Sequence, residues 1–203
     1  MLKHVIFDSD GVLVDSFYFH LRKLNEYFDD PITEDEYRGM HDGNFYSETA
    51  SSARFKTYDF NSYSAFVAEE QSKLPLNEGV VETLEELAKT CSLHLVTSGW
   101  KIQVLPLLGR NNITRYFSSL FFADEGKSKH EKINKIVTDA QITTKECIYV
   151  TDTIGDIREA QLAGVPTMAV TFGYHSEEKL RLQHPTYIVH SWPEILQTVK
   201  EYR

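Results

Sequence analysis

An α/β fold, a parallel sheet covered by helices on both faces, is what this sequence predicts, and three observations point to it. Short apolar runs of strand length recur along the chain. Stretches with helical spacing of apolar residues separate most of them. The 203 residues provide room for one sizeable core, or for a core with a small appended unit. Strands that alternate with helices pack as parallel sheets, because each crossover lays a helix on one face.

In chain order the expected strands are Val5–Phe7, Leu93–Thr97, Leu120–Ala123, Ile148–Thr151, Thr167–Thr171 and Tyr187–Val189. Between them, Val80, Leu84 and Leu87 mark one helix face, and Ile102, Leu105 and Leu108 a second. Ile133, Ile136 and Val137 mark a third, and Ile157, Ala160 and Leu162 a fourth. Residues 16–78 break the alternation: they are crowded with aromatic and charged residues, with helical patterns and no convincing buried strand. Pro31 and the Met40–Gly43 stretch read as breaks between helices. The simplest organisation is a helical insert after the first strand; an irregular helical layer of the same domain is the alternative. The phenylalanines and tyrosines of this region read as its packing core, and Arg22, Lys23, Arg38 and Arg54 as solvated charges or substrate contacts.

Composition narrows the function. The chain is 41% hydrophobic and 25% charged, with a formal net charge of -9. It has no basic stripe to displace counterions from a nucleic-acid backbone, so no nucleic-acid partner is expected. Nor does any apolar run reach the roughly 20 residues that span a membrane. The N-terminus has no signal-peptide pattern, and Cys91 and Cys147 lack metal-ligand spacing. Both read as small buried thiols of a reducing compartment, which points to the cytoplasm.

In open parallel sheets, ligands bind beyond the carboxyl ends of the strands. There the first strand offers Asp8 and Asp10, and the second Thr97, Ser98 and Gly99. The fourth offers Asp152 and Asp156, while Lys127 and Lys129 open the helix after the third. Four carboxylates at one rim repel one another and need a compensating cation. Oxygen ligands without His or Cys suit a hard ion, Mg²⁺ above all, since it combines carboxylates with substrate phosphate. Thr97 and Ser98 at a helix start suit phosphate oxygens.

These elements in this order resemble the haloacid dehalogenase-like hydrolase superfamily, and within it the capped phosphatases and mutases. The stretch "FDSDGVLVDS" matches the first motif throughout, "LHLVTSG" the second, and "YVTDTIGD" the fourth apart from one residue. The resemblance implies a Rossmann-like core of residues 1–15 and 79–203 with a small helical cap of residues 16–78 inserted after the first strand. It implies a Mg²⁺-dependent phosphatase of a small phosphorylated metabolite, acting as a monomer or homodimer. Asp8 would be the nucleophile that forms an aspartyl-phosphate, and Asp10 the acid and then base, with its backbone carbonyl on the metal. Asp152 would complete the metal site, Asp156 would be a second or outer-shell acid, and Thr97 would bind the phosphoryl group with Ser98. Residues two apart on an extended strand face the same way, so Asp8 and Asp10 can flank one phosphorus atom. Of the pair, the acid away from the metal is expected to be pushed towards protonation.

Departures from the pattern leave alternatives. "GKSKHEKI" lets either Lys127 or Lys129 be the motif lysine. Thr151 stands where glycine is common in the fourth motif, which removes no ligand. His20 fits a family pattern with Asp15 and Ser16 at the cap entrance, and reads either as a substrate-sensing residue or as an ordinary helix histidine. A phosphomutase of the beta-phosphoglucomutase type shares all four motifs, and a non-catalytic binding module is the rival from another class. Dehalogenases need no leaving-group acid like Asp10, which argues against that activity.

Overall fold

The structure, a computed structural model, describes residues 2–28 and 31–202. Six strands are described: β1 (His4–Phe7), β2 (Ser92–Val96), β3 (Phe117–Phe121), β4 (Cys147–Thr151), β5 (Thr167–Val170) and β6 (Tyr187–Val189). They form one sheet in the order β3-β2-β1-β4-β5-β6, and every pairing is parallel. Strand β1 lies between β2 and β4, with His4 opposite Ser92 on one side and Cys147 on the other. The order reverses at that place, and the crevice it opens beyond the strand ends is where such sheets bind ligands.

Why the central strands read as continuous apolar runs is visible in the two faces. Val5, Phe7, Leu93, Leu95, Ile148 and Val150 point into one buried cluster. That cluster is closed by α5 (Val80–Leu87), α6 (Lys101–Arg110) and α10 (Trp192–Glu201). The intervening Ile6, Val96 and Tyr149 point into the other, beneath α7 (Lys129–Asp139) and α8 (Ile154–Leu162). Each fully buried aliphatic side chain contributes on the order of 1.5–3 kcal/mol. With both faces covered, neither alternate set of positions can be polar. The short helix α9 (Glu177–Arg181) links β5 to β6.

Three expectations shift. The third strand begins and ends earlier than Leu120–Ala123, because the Phe122 N–H leaves the ladder to bond Glu125 Oε2 at 2.7 Å and a tight turn starts at Ala123. Ile102 and Leu162 are 53% and 74% exposed: the buried stripe of α6 runs through Gln103, Val104, Leu107 and Leu108, and that of α8 ends at Ala160. Cys147 is buried but Cys91 only half so, and neither forms a disulfide. No helix among the described residues is long and apolar enough to cross a membrane.

Helices α1 (Phe17–Phe28), α2 (Glu34–Gly39), α3 (Phe45–Ser51) and α4 (Phe60–Gln71) follow β1 before the sheet resumes, with no strand among the described residues of 17–71. Their aromatic residues bury one another in a cluster of their own that includes Phe17, Phe19, Tyr37, Tyr63 and Val67. Tyr174, from the loop after β5, joins that cluster from the sheet side. The chain leaves and re-enters the sheet layer through adjacent segments: Val14 bridges Leu76, and the Asn77 N–H bonds Leu13 O at 2.9 Å. The Asn77 side chain also donates to Val12 O at 2.7 Å.

Candidate active site

Asp8 is the first residue beyond β1, and Asp152 the first beyond β4, so parallel pairing of neighbouring strands delivers both to one place. Asp156 follows in the first turn of α8, whose N-cap Thr153 accepts the Asp156 N–H at 3.3 Å. Oxygen atoms of Asp8, Asp152 and Asp156 lie within 4.8 Å of one another. All three side chains are buried.

Of the two lysines left open, Lys129 is the one that reaches the acids. It starts α7, is buried, and its Nζ donates to Asp8 Oδ2 at 2.6 Å and to Asp156 Oδ2 at 2.7 Å. Burial opposes its charge, but the two carboxylates outweigh burial and raise its pKa well above the ordinary lysine value. Lys127 lies elsewhere, with its Nζ over the rings of Trp100 at 3.5 Å and Tyr46 at 4.2 Å. Asp156 also accepts from Thr151 Oγ1 at 2.7 Å. Against the effect of burial, Lys129 and these hydrogen bonds hold it down to about 2.

Asp152 differs. Its Oδ2 accepts the Tyr174 N–H at 2.7 Å, whereas its Oδ1 is buried without a hydrogen-bond partner among the described residues. Burial, with the Asp156 charge, pushes its carboxyl up to about 7. An orphaned carboxylate oxygen beside two further acids fits a hard cation with oxygen ligands. Backbone closeness makes that position exacting. Gly11 has φ +74°, and a Cβ there would come 1.9 Å from Asp152 Oδ2.

Asp10 corrects an expectation. Strand β1 ends at Phe7, so Asp8 and Asp10 sit on the turn beyond it and not on extended strand, yet both line one cleft. Asp10 Oδ1 accepts from Ser16 Oγ at 2.7 Å and Gln71 Nε2 at 3.1 Å, and lies 3.3 Å from His20 Nε2. Burial raises its pKa, but His20 and Ser16 outweigh burial and hold the carboxyl below its usual value. It is Asp8 that is pushed well up, by burial first and then by the Asp156 and Asp152 charges, despite Lys129. The spacing rule missed this because it considers only the two acids, whereas Ser16, His20 of α1 and Gln71 of α4 reach Asp10 through the packing of the helices. His20 is buried, with Nδ1 2.8 Å from the Tyr63 hydroxyl.

Thr97, Ser98 and Gly99 line the same cleft, between β2 and α6. Thr97 Oγ1 accepts the Gly99 N–H at 2.9 Å, and the Tyr46 hydroxyl donates to Ser98 O at 2.7 Å. Two participants escaped sequence reasoning. Lys132, one turn beyond Lys129, is buried, donates to Thr97 O at 2.9 Å, and has its pKa lowered to about 8 by burial and the Lys129 charge. Glu159 accepts the Lys129 N–H at 2.9 Å and fixes the start of α7. A signal existed for each: Lys132 lies on the apolar stripe with Ile133 and Ile136, and Glu159 lies three residues beyond Asp156. Thr151, read only as a missing glycine, supplies a hydrogen bond to that same acid.

The cleft encloses about 730 Å³ of empty space, open solvent at its mouth included. Residues 5–170 match the family model for haloacid dehalogenase-like hydrolases. The chain belongs to that family. The phosphoglycolate phosphatase of Salmonella paratyphi A is 33% identical over 141 residues, which is 68% of this chain and 55% of that protein. The chain thus spans about half the length of the curated relatives it matches. Among solved structures, a haloacid dehalogenase-like hydrolase from Streptococcus pneumoniae superposes with a TM-score of 0.80 at 22% identity, covering 97% of each chain. A Thermotoga maritima protein described as a candidate beta-phosphoglucomutase does so at 0.70 and 25% identity, covering 100% of both.

Proposed function

We propose that this family member is a Mg²⁺-dependent phosphatase of small phosphate monoesters that works through a phosphorylated Asp8. The observation that supports it best is the buried constellation of Asp8, Lys129 and Asp156, with Asp152 and its orphaned oxygen beside it. Asp8, Asp152 and Asp156, with the backbone carbonyl of Asp10, would hold the metal, which when bound offsets the negative charge shared by carboxylates and phosphoryl group.

An Asp8 carboxylate oxygen attacks phosphorus. The O–P bond to Asp8 forms as the bond from phosphorus to the alcohol oxygen breaks, and Asp10 passes its proton to that oxygen. Asp10 then removes a proton from water, whose oxygen attacks the aspartyl-phosphate, releasing phosphate and restoring Asp8. Ser16 Oγ at 2.7 Å and His20 Nε2 at 3.3 Å favour the carboxylate form of Asp10, which suits the base step, and the proton taken from water is the one Asp10 gives in the next acid step. Lys129 balances the charge of Asp8, and Thr97, Ser98 and Gly99 receive the phosphoryl oxygens. Residues 1–15 and 79–203 form the catalytic core in this reading, and residues 16–78 a cap that excludes water. A small phosphorylated metabolite of the cytoplasm fits beneath such a cap.

Purified protein supplied with Mg²⁺ and a panel of phosphorylated metabolites is expected to release phosphate, and Asp8→Asn to release none. Activity retained by Asp8→Asn ends this reading. The full-length likeness to the Thermotoga structure favours a second one, a mutase. Glucose 1-phosphate converted to its isomer, with little free phosphate, would select it.

A further inference from the structure

We propose that the alcohol released from the substrate carries an uncharged, planar ring. This rests on the phosphatase reading and concerns the half of the cleft facing α1–α4. Leu24, Phe45, Tyr46, Phe60, Tyr63 and Trp100 line that half. Five of these six are aromatic, which suits a flat ring held by offset or edge contacts.

The lining of that half holds no lysine or arginine; the exposed Lys127 rests its Nζ on Trp100 at 3.5 Å and Tyr46 at 4.2 Å without itself lining the cleft. The region 16–78 has six Lys and Arg residues, Arg22, Lys23, Arg38, Arg54, Lys56 and Lys73, and none lines the cleft. Lys23 pairs with Glu70 and Glu26, Arg54 with Glu36, and Arg38 stacks on Phe17 at 3.9 Å. Among the described residues, Lys129 is the only lysine or arginine lining the cleft, and it is engaged by Asp8 and Asp156. His20 has Asp10 on one ring nitrogen and Tyr63 on the other. Burial holds the ring of His41 neutral, down to about 3. A second anionic group on the substrate, such as a carboxylate, would enter this half unpaired, beside four aspartates.

Hydroxyl-rich alcohols meet the complementary problem. The Tyr46 hydroxyl donates to Ser98 O at 2.7 Å, that of Tyr63 is engaged with His20 at 2.8 Å, and Ser64 Oγ donates to Phe60 O at 2.7 Å. His41 Nε2 and Trp100 Nε1, both buried with no hydrogen-bond partner among the described residues, are available to polar ring substituents. A polyol would surrender water at several hydroxyls and find too few replacements.

Three esters of primary alcohols test this at matched leaving groups: benzyl phosphate, phosphoglycolate and glucose 6-phosphate, each with Mg²⁺. Acetyl phosphate, whose acetate leaving group is too small to engage the aromatic half and leaves without a proton, reports formation and hydrolysis of the aspartyl-phosphate alone. The expected result is kcat/KM for benzyl phosphate at least about tenfold above the other two, with 4-carboxybenzyl phosphate falling by about tenfold or more. Phosphoglycolate or glucose 6-phosphate turned over as well as benzyl phosphate, or no penalty for the added carboxylate, overturns the inference and leaves the phosphatase reading standing. If acetyl phosphate is not hydrolysed either, the phosphatase reading fails and takes the inference with it.

Discussion

At the carboxyl ends of β1 and β4, four aspartates and a lysine are held by strand pairing, helix starts and short charge-assisted hydrogen bonds. Across the cleft, α3 and α4 present Phe45, Tyr46 and Phe60, half-buried rings whose positions depend on packing against one another. The rim is polar and pinned by the sheet; the roof is largely apolar, held by its own small core and tied to the rim at a few points, Tyr46 to Ser98 O at 2.7 Å and Gly155 N–H to His41 O at 3.1 Å among them. Displacing a rim side chain leaves a buried charge without a partner, whereas displacing a roof side chain changes a surface that can repack. The two therefore differ in what they can vary: in the proposed function the rim would fix the reaction and the roof would select the substrate.

The harshest way to break the rim is Lys129→Met. It strands Asp8 and Asp156 as buried acids, and is expected to lower phosphate release by about a thousandfold or more. Thermal unfolding with Mg²⁺ omitted should also show a loss on the order of 3–5 kcal/mol. Wild-type-like turnover would separate the lysine from the chemistry.

Gly155→Ala tests the joint between rim and roof. The Gly155 N–H bonds His41 O at 3.1 Å, and a Cβ there would come 2.0 Å from Gly43 O, a backbone atom that cannot swing aside. We expect the segment 41–43 to be pushed off α8, and kcat/KM for a ring-bearing ester to fall by about a hundredfold. Acetyl phosphate should suffer much less; an equal loss on both would show that the joint supports the rim.

Away from both regions, His94 on β2 sets an expected acid response. It is buried, lies 2.9 Å from His4 and 2.7 Å from Ser119 Oγ, and burial holds its pKa down to about 4 against an ordinary 6.5. Between those values the unfolded chain binds the proton and the folded one does not. Stability is thus full above pH 6.5 and falls as pH drops towards 4, by about 2 kcal/mol at pH 5. Denaturant titrations should show His94→Asn less stable at pH 7 but flatter from pH 6.5 to 5. An unchanged slope would assign the acid response elsewhere.

The mildest expectation concerns Lys127→Met, which removes a surface ammonium from the rings of Trp100 and Tyr46. About 0.5–1 kcal/mol of stability and less than about threefold in activity should be lost. A collapse like that of Lys129→Met would erase the distinction between the two lysines.

Much of the rim was legible because its residues sit at fixed offsets from apolar strands. Asp8, Thr97 and Asp152 each follow a run whose burial on both faces allows few other readings. The state of Asp10 was not legible, since Gln71 and His20 reach it from helices whose packing no local spacing reveals. The exposed flanks of α6 and α8 were misjudged for a related reason. A helix of about ten residues offers two plausible apolar stripes, and only its neighbours select one.

By itself the sequence determined the α/β alternation, the family, and which acids stand at strand ends, because periodicity and motif spacing are local properties of a chain. Only the tertiary structure decided which lysine meets Asp8, which carboxyl is pushed up, and that no lysine or arginine of residues 16–78 lines the cleft. Those outcomes depend on distances between residues far apart in the chain, 121 positions for Asp8 and Lys129, and on the burial that makes charge pairing decisive.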